Sequence, residues 1–369
     1  MSDKNAKKFI IATIITPIAL GTILLSLIYI YDPLQIFHKS FFDKPRFFGE
    51  MRIGAKGIIE HYDYDSYILG TSMLQNTSAK EANQKIGGNF VNISPAASSI
   101  AERAIILNFL FKHKKPKNII YSLDAFSDEM RGKIDFKLLY DDSKLNDLEA
   151  YLNDRFLICI LTLSKDENKC IGKPDIETLL QWYREEKQQQ RLGGFANWIK
   201  YNPDELKKFD LFNLKPIIFD EKLFDTTKQE QFITKYTIPF IKDNPQTNFY
   251  LILPPYSRFH FKVNPEAFME RKKVVLYLLE QIKDLDNATI YAFDDLDYPD
   301  EIANYAGDTI HYAQDMNSIE LNAIKDKKHI LTLNNAQSYF DKVEQKIKSY
   351  DIKPLIKALE NVEIEQIKQ

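Results

Sequence analysis

The chain has 369 residues, of which 44% are hydrophobic and 13% aromatic, with only 12 glycines. This composition is that of a well-packed globular protein and excludes a disordered or fibrous chain. The 49 basic and 52 acidic residues give a net charge of -3 and are spread along the sequence, which argues against a nucleic-acid partner. The length fits one large α/β domain with insertions or two modest domains, and we expect one large domain.

The amino-terminal segment is apolar and uncharged over residues 9–31, which read FIIATIITPIALGTILLSLIYIY. A helix of this length can cross a hydrocarbon core of about 30 Å. Lysines occur within residues 1–8 and Asp32 follows the run, so the positive-inside rule predicts a cytoplasmic tail and an exported remainder. A cleaved signal peptide would have a shorter apolar run and a small-residue cleavage site, whereas Leu27–Tyr31 is bulky. We predict a single-pass anchor in the cytoplasmic (inner) membrane and a periplasmic or otherwise extracytoplasmic domain.

Beyond the anchor, residues 32–62 read as a juxtamembrane connector with aromatic and basic character. After it, short apolar runs bounded by turn residues predict buried strands. The predicted strands are Ser66–Leu69, Phe90–Ile93, Asn118–Leu123, Asn248–Leu253 and Ala288–Phe293. Continuous apolar runs suit strands that are covered on both faces, so we predict a parallel sheet flanked by helices within residues 63–335.

Three stretches of helical character surround these strands. Ser99–His113 is the clearest crossover helix, because Glu102 lies in its first turn and basic residues end it. Residues 127–247 are charged, mostly helical in pattern and too long for an ordinary connection, so we predict a helical insertion there. Residues 336–369 alternate apolar and charged residues at helical spacing and predict a carboxyl-terminal helical tail.

The only cysteines are Cys159 and Cys170. Two cysteines exclude a disulfide-rich scaffold and a four-cysteine zinc site. One bridge in an oxidising compartment and two unpaired thiols remain alternatives. No metal site is predicted.

A serine follows the first predicted strand, in the sequence Gly70-Thr71-Ser72. Open α/β sheets present their binding crevice at the carboxyl ends of the strands. Asp308 and His311 follow the last predicted strand after a loop and are expected at the same edge. A serine hydroxyl becomes a nucleophile when a histidine takes its proton and an aspartate orients the imidazole. The sequence therefore predicts Ser72 as nucleophile, His311 as base and acid, and Asp308 as the orienting carboxylate.

Other interpretations of these residues exist. An Asp-x-x-His pair also occurs at Asp326 and His329, in the lysine-rich run KDKKH that is typical of a solvated face. We prefer Asp308 and His311 because that pair follows a glycine in a loop. Ser72 would otherwise be a turn or helix-cap serine. In a plain structural module, the two proposed partners would lie far apart in space.

Several blocks of the chain resemble the SGNH hydrolase superfamily, especially its DltD-like and alginate O-acetylation branches. The similarity covers roughly Asp65–Phe126 and Phe249–Asn317. Gly70-Thr71-Ser72 resembles the Gly-Asp-Ser block that carries the nucleophile, with threonine in place of aspartate, and the block from Asp308 to His311 matches Asp-x-x-His. The segments VNISPAASSIAERAIILNFL, KPKNIIYSLDAFSD and LILPPYSRFHF resemble envelope-associated members that accompany membrane-bound O-acyltransferases. The resemblance implies a flavodoxin-like, SGNH-type sheet with a helical insertion and one transmembrane helix.

In that family, a second-block glycine and a third-block asparagine usually complete the oxyanion hole, which binds the negative oxygen of the tetrahedral intermediate. The corresponding stretches here read Asn92–Ala97 and Ser122–Asp124. Backbone amides also act as donors, so the Ser72 amide and an amide within Ser94–Ser98 are expected to serve. Asp124 would not donate unless protonated, and its alternative roles are to orient a hydroxyl or to cap a helix.

Further candidates for oxyanion or substrate contacts lie near the predicted strand ends. The candidates are Gly70, Thr71, Ser94, Ser98, Asp124, Tyr256 and Ser257. Tyr256 and Ser257 would bind substrate hydroxyls, although the prolines before them also explain this segment as a structural turn.

The resemblance implies a membrane-anchored acyltransferase or esterase acting on O-acyl groups, with O-acetyl expected, of a cell-envelope polysaccharide. In the transferase version a membrane-bound O-acyltransferase is the partner, and the hydrolase version needs none. The alternative is a non-catalytic accessory protein or glycan-binding pseudoenzyme, for which the missing third-block asparagine is the argument. The expected contacts are thus the envelope glycan and the lipid bilayer, and the chemistry requires no cofactor.

Overall fold

The computed structural model describes residues 3–41, 44–131, 136–141, 143–184, 186, 192, 200, 219–306 and 308–358. Gly307, most of residues 185–218 of the predicted insertion, and residues 359–369 of the predicted tail lie outside the described residues.

The described secondary structure is mostly helical outside one sheet. The helices are α1 (Asp3–Tyr31), α2 (Met51–His61), α3 (Ser72–Gln75), α4 (Ala79–Lys85), α5 (Ile100–His113), α6 (Phe136–Leu139), α7 (Asp154–Thr162), α8 (Ile176–Leu180), α9 (Thr227–Tyr236), α10 (Ile238–Asp243), α11 (Arg258–Val263), α12 (Pro265–Ile282), α13 (Gln314–Asp326) and α14 (Leu333–Ser349). The strands are β1 (Ser66–Leu69), β2 (Phe90–Asn92), β3 (Asn118–Ser122), β4 (Asn248–Leu253), β5 (Ala288–Ala292) and β6 (Ile330–Leu331). Short 3₁₀ helices cover Asn146–Tyr151, Trp182–Arg184, Glu221–Leu223, Tyr298–Asp300 and Ile302–Asn304.

Within the described part of the chain, six strands form one sheet in the order β2-β1-β3-β4-β5-β6. Strands β1 to β5 run parallel, and β6 is antiparallel to β5. Each of the five predicted strands is present and ends within one residue of its predicted bounds. The sequence does not predict β6, because two residues carry too little apolar pattern. The expected α/β fold, a mostly parallel sheet flanked by helices, is confirmed.

Helix α5 shows why the sequence folds as it does beside the sheet. The Ser99 hydroxyl accepts from the Glu102 amide, and the Glu102 carboxylate accepts from the Ser99 amide. This capping box satisfies two amides that a helix start would otherwise leave without acceptors. The predicted helix Ser99–His113 is therefore confirmed, with Ser99 as its cap.

The chain folds into two compact units. Unit 1 contains residues 1–63 and 132–179, and unit 2 contains residues 64–131 and 180–369, including the sheet. The structure thus groups residues 132–179, which the sequence pattern assigns to an insertion in the α/β domain, with the amino-terminal segment. Charged and apolar residues that alternate at helical spacing predict a helix, but they do not indicate which part of the protein the helix packs against. Residues 132–179 make polar contacts with the amino-terminal segment within unit 1.

Helix α1 is long and apolar enough to cross a membrane. Directly after it, the buried carboxylate of Asp32 accepts hydrogen bonds from the amides of Ile36, Phe37 and His38, at 2.8 to 3.0 Å. The Tyr151 hydroxyl also donates to Asp32. These contacts join the end of α1 to the segment 132–179.

Cys159 and Cys170 form a disulfide, which decides between the two alternatives that the sequence leaves open. Their Cα atoms are 5.4 Å apart, and both side chains are buried in unit 1. The bridge joins positions separated by 11 residues, and closing a loop of this size stabilises a fold by roughly 3 kcal/mol. It constrains the chain that follows α7.

A buried ion pair holds unit 1 together. Lys56 Nζ donates to both carboxylate oxygens of Asp147, at 2.7 and 2.6 Å, and to the Leu139 carbonyl at 2.7 Å. Replacing Lys56 with methionine would leave a buried carboxylate without its counter-ion. We expect Lys56→Met to lower the free energy of unfolding of unit 1 by about 3–5 kcal/mol. Hydrogen exchange of the α2 amides in the full-length protein in lipid nanodiscs measures this loss.

An ion pair with an exposed lysine in the same unit supplies the control. Lys144 lies 3.9 Å from Glu60 with its side chain 62% exposed, so we expect Lys144→Met to change stability by less than about 1 kcal/mol. Adding Asp147→Leu to Lys56→Met should recover much of the lost stability, because the unpaired charge is removed. Equal exchange rates in Lys56→Met and wild type would contradict this account of unit 1.

Candidate active site

Ser72 lies where β1 ends, at the switch point of the sheet. Strand β1 pairs with β2 on one side and β3 on the other, so the connection from β1 to β2 and the connection from β2 to β3 run in opposite directions. This reversal opens a crevice at the carboxyl ends of the strands. Gly70 makes the turn out of β1, and a Cβ there would lie 2.8 Å from the Ser122 Cβ, so only glycine fits. Ser72 begins α3 and is partly exposed to solvent.

The structure brings the three predicted catalytic side chains together. Ser72 Oγ lies 2.6 Å from His311 Nε2, and His311 Nδ1 lies 2.5 Å from Asp308 Oδ2. The other Asp308 oxygen accepts from the amides of Ile310 and His311, both at 3.0 Å, which fixes the carboxylate. With the proton on Nδ1, His311 donates to Asp308 and leaves Nε2 to accept from the Ser72 hydroxyl.

The charges around His311 favour its protonated form. Burial disfavours the imidazolium, but the hydrogen bond to Asp308 and the charges of Asp308 and Asp124 outweigh it and raise the pKa of His311 above 6.5. Burial likewise opposes ionisation of Asp308, yet its hydrogen bonds with His311 and with backbone amides lower the pKa of Asp308 to about 2. Asp308 is therefore an anion wherever His311 titrates.

Ser94 and Ser98 brace the turn that carries Ser72. The Gly70 amide donates to Ser94 Oγ at 2.9 Å, and Ser98 Oγ donates to the Gly70 carbonyl at 3.1 Å. Both serines are buried. The two hydroxyls thus bond to the backbone of Gly70, one to its amide and one to its carbonyl. Any contact of Gly70, Ser94 or Ser98 with a substrate stays a prediction.

Asp124 joins the carboxyl ends of β1 and β3. Its Oδ2 accepts from the Thr71 hydroxyl at 2.6 Å, and its Oδ1 accepts from Ser122 Oγ at 2.7 Å and Arg103 Nη1 at 3.2 Å. Of the two alternative roles for Asp124, the structure therefore shows the orientation of a hydroxyl. Thr71 in turn accepts from the Met73 amide and caps α3.

Two amides near Ser72 remain as donors. The Ser72 amide is the first of α3, and first amides have no acceptor within their helix. Ala97 lies in an exposed turn after β2, and its amide donates to no other described residue. Its φ of +51° is in the left-handed region that favours glycine. A glycine at this position would adopt that conformation without strain.

Ser257 is hydrogen-bonded to the loop that carries Asp308. Its hydroxyl accepts from the His260 amide and caps α11, and its amide donates to the Thr309 carbonyl at 3.2 Å. His260 Nδ1 lies 3.2 Å from Thr309 Oγ1. Burial and the charge of Arg271 lower the pKa of His260 to about 4, so this second histidine is neutral at physiological pH.

Tyr256 is held mainly by its neighbour Arg271. The Arg271 guanidinium lies 4.0 Å from the centre of the Tyr256 ring, and Arg271 Nη1 also contacts Asp294 at 3.0 Å. Burial raises the pKa of Tyr256 to about 12, so its hydroxyl stays protonated. A role of Tyr256 or Ser257 in binding substrate stays a prediction.

Trp182 is part of the site, although no sequence motif identifies it. Its Nε1–H donates to the Ser72 carbonyl at 2.9 Å, and its ring meets the His311 ring edge-on at 5.6 Å between centroids. The Tyr183 amide donates to Asn76 Oδ1 at 3.4 Å, which holds the segment against the end of α3. A tryptophan in a charged insertion was the only available signal, and most such residues belong to the core.

We expect Trp182→Phe to lower kcat/KM about fivefold for any reaction that Ser72 performs. Phenylalanine keeps an aromatic ring beside His311 but loses the N–H that holds the Ser72 carbonyl, and one such hydrogen bond contributes about 1 kcal/mol. Tyr183→Phe, in the same segment, is the control and should leave the rate near wild type. Steady-state kinetics compare the two, and an unchanged rate in Trp182→Phe would show that Trp182 does not position Ser72.

A buried hydrogen-bond network connects the segment that carries Ser72 to the segment that carries His311. Asn317 Nδ2 donates to the Met73 carbonyl at 3.0 Å and to Glu320 Oε2 at 3.2 Å, and the Tyr312 hydroxyl donates to Glu320 Oε1 at 2.7 Å. Met73 follows the serine and Tyr312 follows the histidine in sequence. Asn317 and Glu320 of α13 therefore hold the segments of Ser72 and His311 at a fixed separation. Burial raises the pKa of Glu320 to about 8, so it is largely protonated near neutral pH.

The competing pair Asp326 and His329 has different contacts. His329 packs against the Phe293 ring at 5.5 Å, and its carbonyl accepts from the Ala292 amide beside β6. Asp326 pairs with Lys328 on the surface at 3.7 Å. Neither contacts Ser72.

In the described ranges, no group of three or more His, Cys, Asp or Glu side chains could hold a metal ion. No family model matches the chain, and no curated protein matches it either. The fold and site by themselves define the class: an α/β protein with a hydrogen-bonded serine, histidine and aspartate at the carboxyl edge of a mostly parallel sheet.

Proposed function

We propose that the chain is a membrane-anchored, extracytoplasmic SGNH-type acyltransferase or esterase that acts on O-acyl groups, with O-acetyl expected, of a cell-envelope polysaccharide. The observation that carries this proposal is the continuous hydrogen-bond chain from Ser72 Oγ through His311 to Asp308. A serine, a histidine and a carboxylate in this arrangement activate the serine hydroxyl for attack on acyl groups.

The strand order also supports the SGNH assignment. Strands β2-β1-β3-β4-β5 follow the order of flavodoxin-like sheets, in which ligands bind at the switch point between β1 and β3. Ser72 follows β1 and Asp124 follows β3, so the proposed chemistry lies where such folds carry their ligands.

In the first half-reaction, Ser72 Oγ forms a bond to the acyl carbon while its proton moves to His311 Nε2. Asp308 stabilises the imidazolium that results. When the tetrahedral intermediate collapses, the bond from the acyl carbon to the leaving oxygen breaks, and His311 returns the proton to that oxygen. In the second half-reaction, water or a sugar hydroxyl loses its proton to His311 and attacks the acyl carbon. The bond from that carbon to Ser72 Oγ then breaks, and His311 returns the proton to Oγ. Water gives an esterase and a sugar hydroxyl gives a transferase.

The developing negative oxygen needs donors that are already in place. The Ser72 amide and the exposed amide of Ala97 are the proposed pair, because other described residues do not occupy them. Losing one oxyanion donor commonly costs 10²- to 10³-fold in rate. Asp124 occupies the block in which the family carries a donor asparagine, and this carboxylate accepts hydrogen bonds instead.

The same substitution supports the second candidate function, a non-catalytic accessory protein that binds a glycan or a partner. A carboxylate at the third block removes one hydrogen-bond donor of the family's oxyanion hole. An SGNH-type site without that donor would still bind a glycan but would stabilise the tetrahedral intermediate poorly. The two candidates differ in whether Ser72 is chemically activated.

The proposed location is the outer side of the cytoplasmic membrane. Helix α1 has the length and apolarity of a span, and the lysines before it favour a cytoplasmic amino terminus. The buried Cys159–Cys170 disulfide supports export, because such bonds persist in oxidising compartments. In the transferase version, a membrane-bound O-acyltransferase would deliver the acyl group beside this anchor.

A fluorophosphonate probe, which labels activated serines, tests the proposal on the full-length protein in lipid nanodiscs. We expect a phosphonyl adduct on the Ser72 peptide of wild type and none in Ser72→Ala or His311→Ala. His329→Ala is the matched control and should label like wild type. Absence of labelling in folded wild type would favour the accessory function, and labelling that survives Ser72→Ala would mean that another serine reacts.

A further inference from the structure

Helix α7 of unit 1 exposes an apolar surface to solvent. Ile158 is 62% exposed and Leu161 is 64% exposed, and Leu152 and Leu163 at either end of the helix are also exposed. We call these four residues the α7 face. The opposite side of α7 is buried in unit 1, so the helix has apolar residues on both sides. Exposed apolar residues grouped on and beside one helix indicate a surface that contacts a partner or a membrane.

This face lies next to the end of α1. Helices α1 and α7 are in contact, and the Tyr31 hydroxyl donates to the carbonyl of Ser164, just after α7. Tyr31 also packs against the cluster of Cys159, Cys170 and Ile171 that the disulfide closes. The last turns of α1 are covered on one side, since Ile28 is fully buried. The end of α7 therefore lies at the same level along the axis of α1 as the end of α1 itself.

The length of α1 gives that height. The uncharged run of residues 9–31 is about 34 Å long as a helix, slightly more than a hydrocarbon core of about 30 Å. Its last turn, with Tyr29 and Tyr31, would then lie at the headgroup boundary, where aromatic rings are favoured. A helix packed against that turn reaches the same boundary.

We propose that the α7 face is a second membrane contact, which inserts into the outer leaflet beside α1 and fixes the orientation of unit 1 on the bilayer. The inference rests on the anchor in the proposed function. The proposed occupant is lipid, because α7 packs against the end of α1, which is the proposed anchor. Exposed Lys165 and Lys169 follow the face together with exposed Asp166 and Glu167, and lysine side chains reach from an apolar boundary to phosphate groups.

Photocrosslinking of the full-length protein in lipid nanodiscs tests this contact. The photoreactive residue p-benzoylphenylalanine replaces Leu161, Ile158, Ile15 in α1 or Leu223 in unit 2, and mass spectrometry measures the lipid adducts. Ile15 reports on the anchor, and Leu223, which is 65% exposed, reports on background labelling. We expect lipid adducts at Ile158 and Leu161 at yields close to that of Ile15 and several-fold above that of Leu223.

The outcomes separate the two proposals. Adducts at Ile15 without adducts at Ile158 and Leu161 would overturn the second contact and leave the anchor standing. Absence of adducts at Ile15 would overturn the anchor and the second contact together. In native membranes, protein adducts in place of lipid adducts at Leu161 would overturn a lipid contact in favour of a protein partner.

Discussion

Replacing Ser72 with alanine is expected to lower the rate of acyl-ester cleavage by about 10⁴-fold or more, with no loss of fold. The hydroxyl lies 2.6 Å from His311 Nε2, and alanine removes the only atom that would bond to the acyl carbon. The Thr71 cap and the Gly70 turn do not involve the Ser72 side chain, so the position of α3 should persist. Initial rates with an activated aryl acetate, measured on the full-length protein, give the effect.

Ser338→Ala controls for the loss of a hydroxyl, because Ser338 is exposed on α14 and its hydroxyl donates to the Asn335 carbonyl, a local bond within the helix. Its rate should equal that of wild type. Cleavage by Ser72→Ala at the wild-type rate would contradict the assignment of the nucleophile. If neither wild type nor Ser72→Ala cleaves the ester while both are folded, the accessory function is favoured.

Replacing Asp308 with asparagine is expected to lower kcat/KM by about 10⁴-fold and to shift its pH dependence. An amide at this position would no longer hold the proton on His311 Nδ1 or stabilise the imidazolium. Asp308 also raises the pKa of His311 above 6.5. In wild type, activity should therefore fall as pH drops through a value above 6.5, because protonated His311 cannot accept a proton.

Loss of the Asp308 charge should let burial dominate, so the residual activity of Asp308→Asn should keep its acid limb at a lower pH than wild type. The pKa of about 2 for Asp308 excludes titration of the carboxylate itself as the cause. Asp326→Asn, the same substitution in the other Asp-x-x-His pair, should leave both rate and pH profile unchanged. An acid limb that does not move in Asp308→Asn would contradict the coupling of Asp308 to His311.

The sheet could be predicted because local apolar runs specify it. The five parallel strands are fully or largely buried, so each reads as a continuous run between turn residues. Ser99 and Glu102 are three residues apart, and a capping box is visible from that spacing alone. The two-residue strand β6 has no such signal.

The contact of Ser72 with His311 could be predicted only in part. Their positions after β1 and β5 indicate one edge of the sheet, but the 2.6 Å distance depends on residues 239 positions apart in sequence. Asn317 and Glu320 set that distance from α13. No local pattern marks them, because an Asn-x-x-Glu spacing on a helix is common and its effect here comes from tertiary packing.

The ion pair and the disulfide of unit 1 could not be predicted from the sequence for a similar reason. The pairing of Lys56 with Asp147 spans 91 positions, and a lysine in a helix reads as a solvated residue until its buried partner is known. The sequence could not decide whether Cys159 and Cys170 pair, because two cysteines 11 residues apart form a bridge only if the backbone between them turns back.

Trapping of an acyl-enzyme tests the central claim most directly. The full-length protein in lipid nanodiscs is mixed with an activated acetyl ester, quenched in acid and digested, and the Ser72 peptide is weighed. The account predicts an added acetyl group on Ser72 in wild type and in His329→Ala, and none in Ser72→Ala. An unmodified Ser72 peptide in wild type under conditions in which the ester is cleaved by the protein would contradict it.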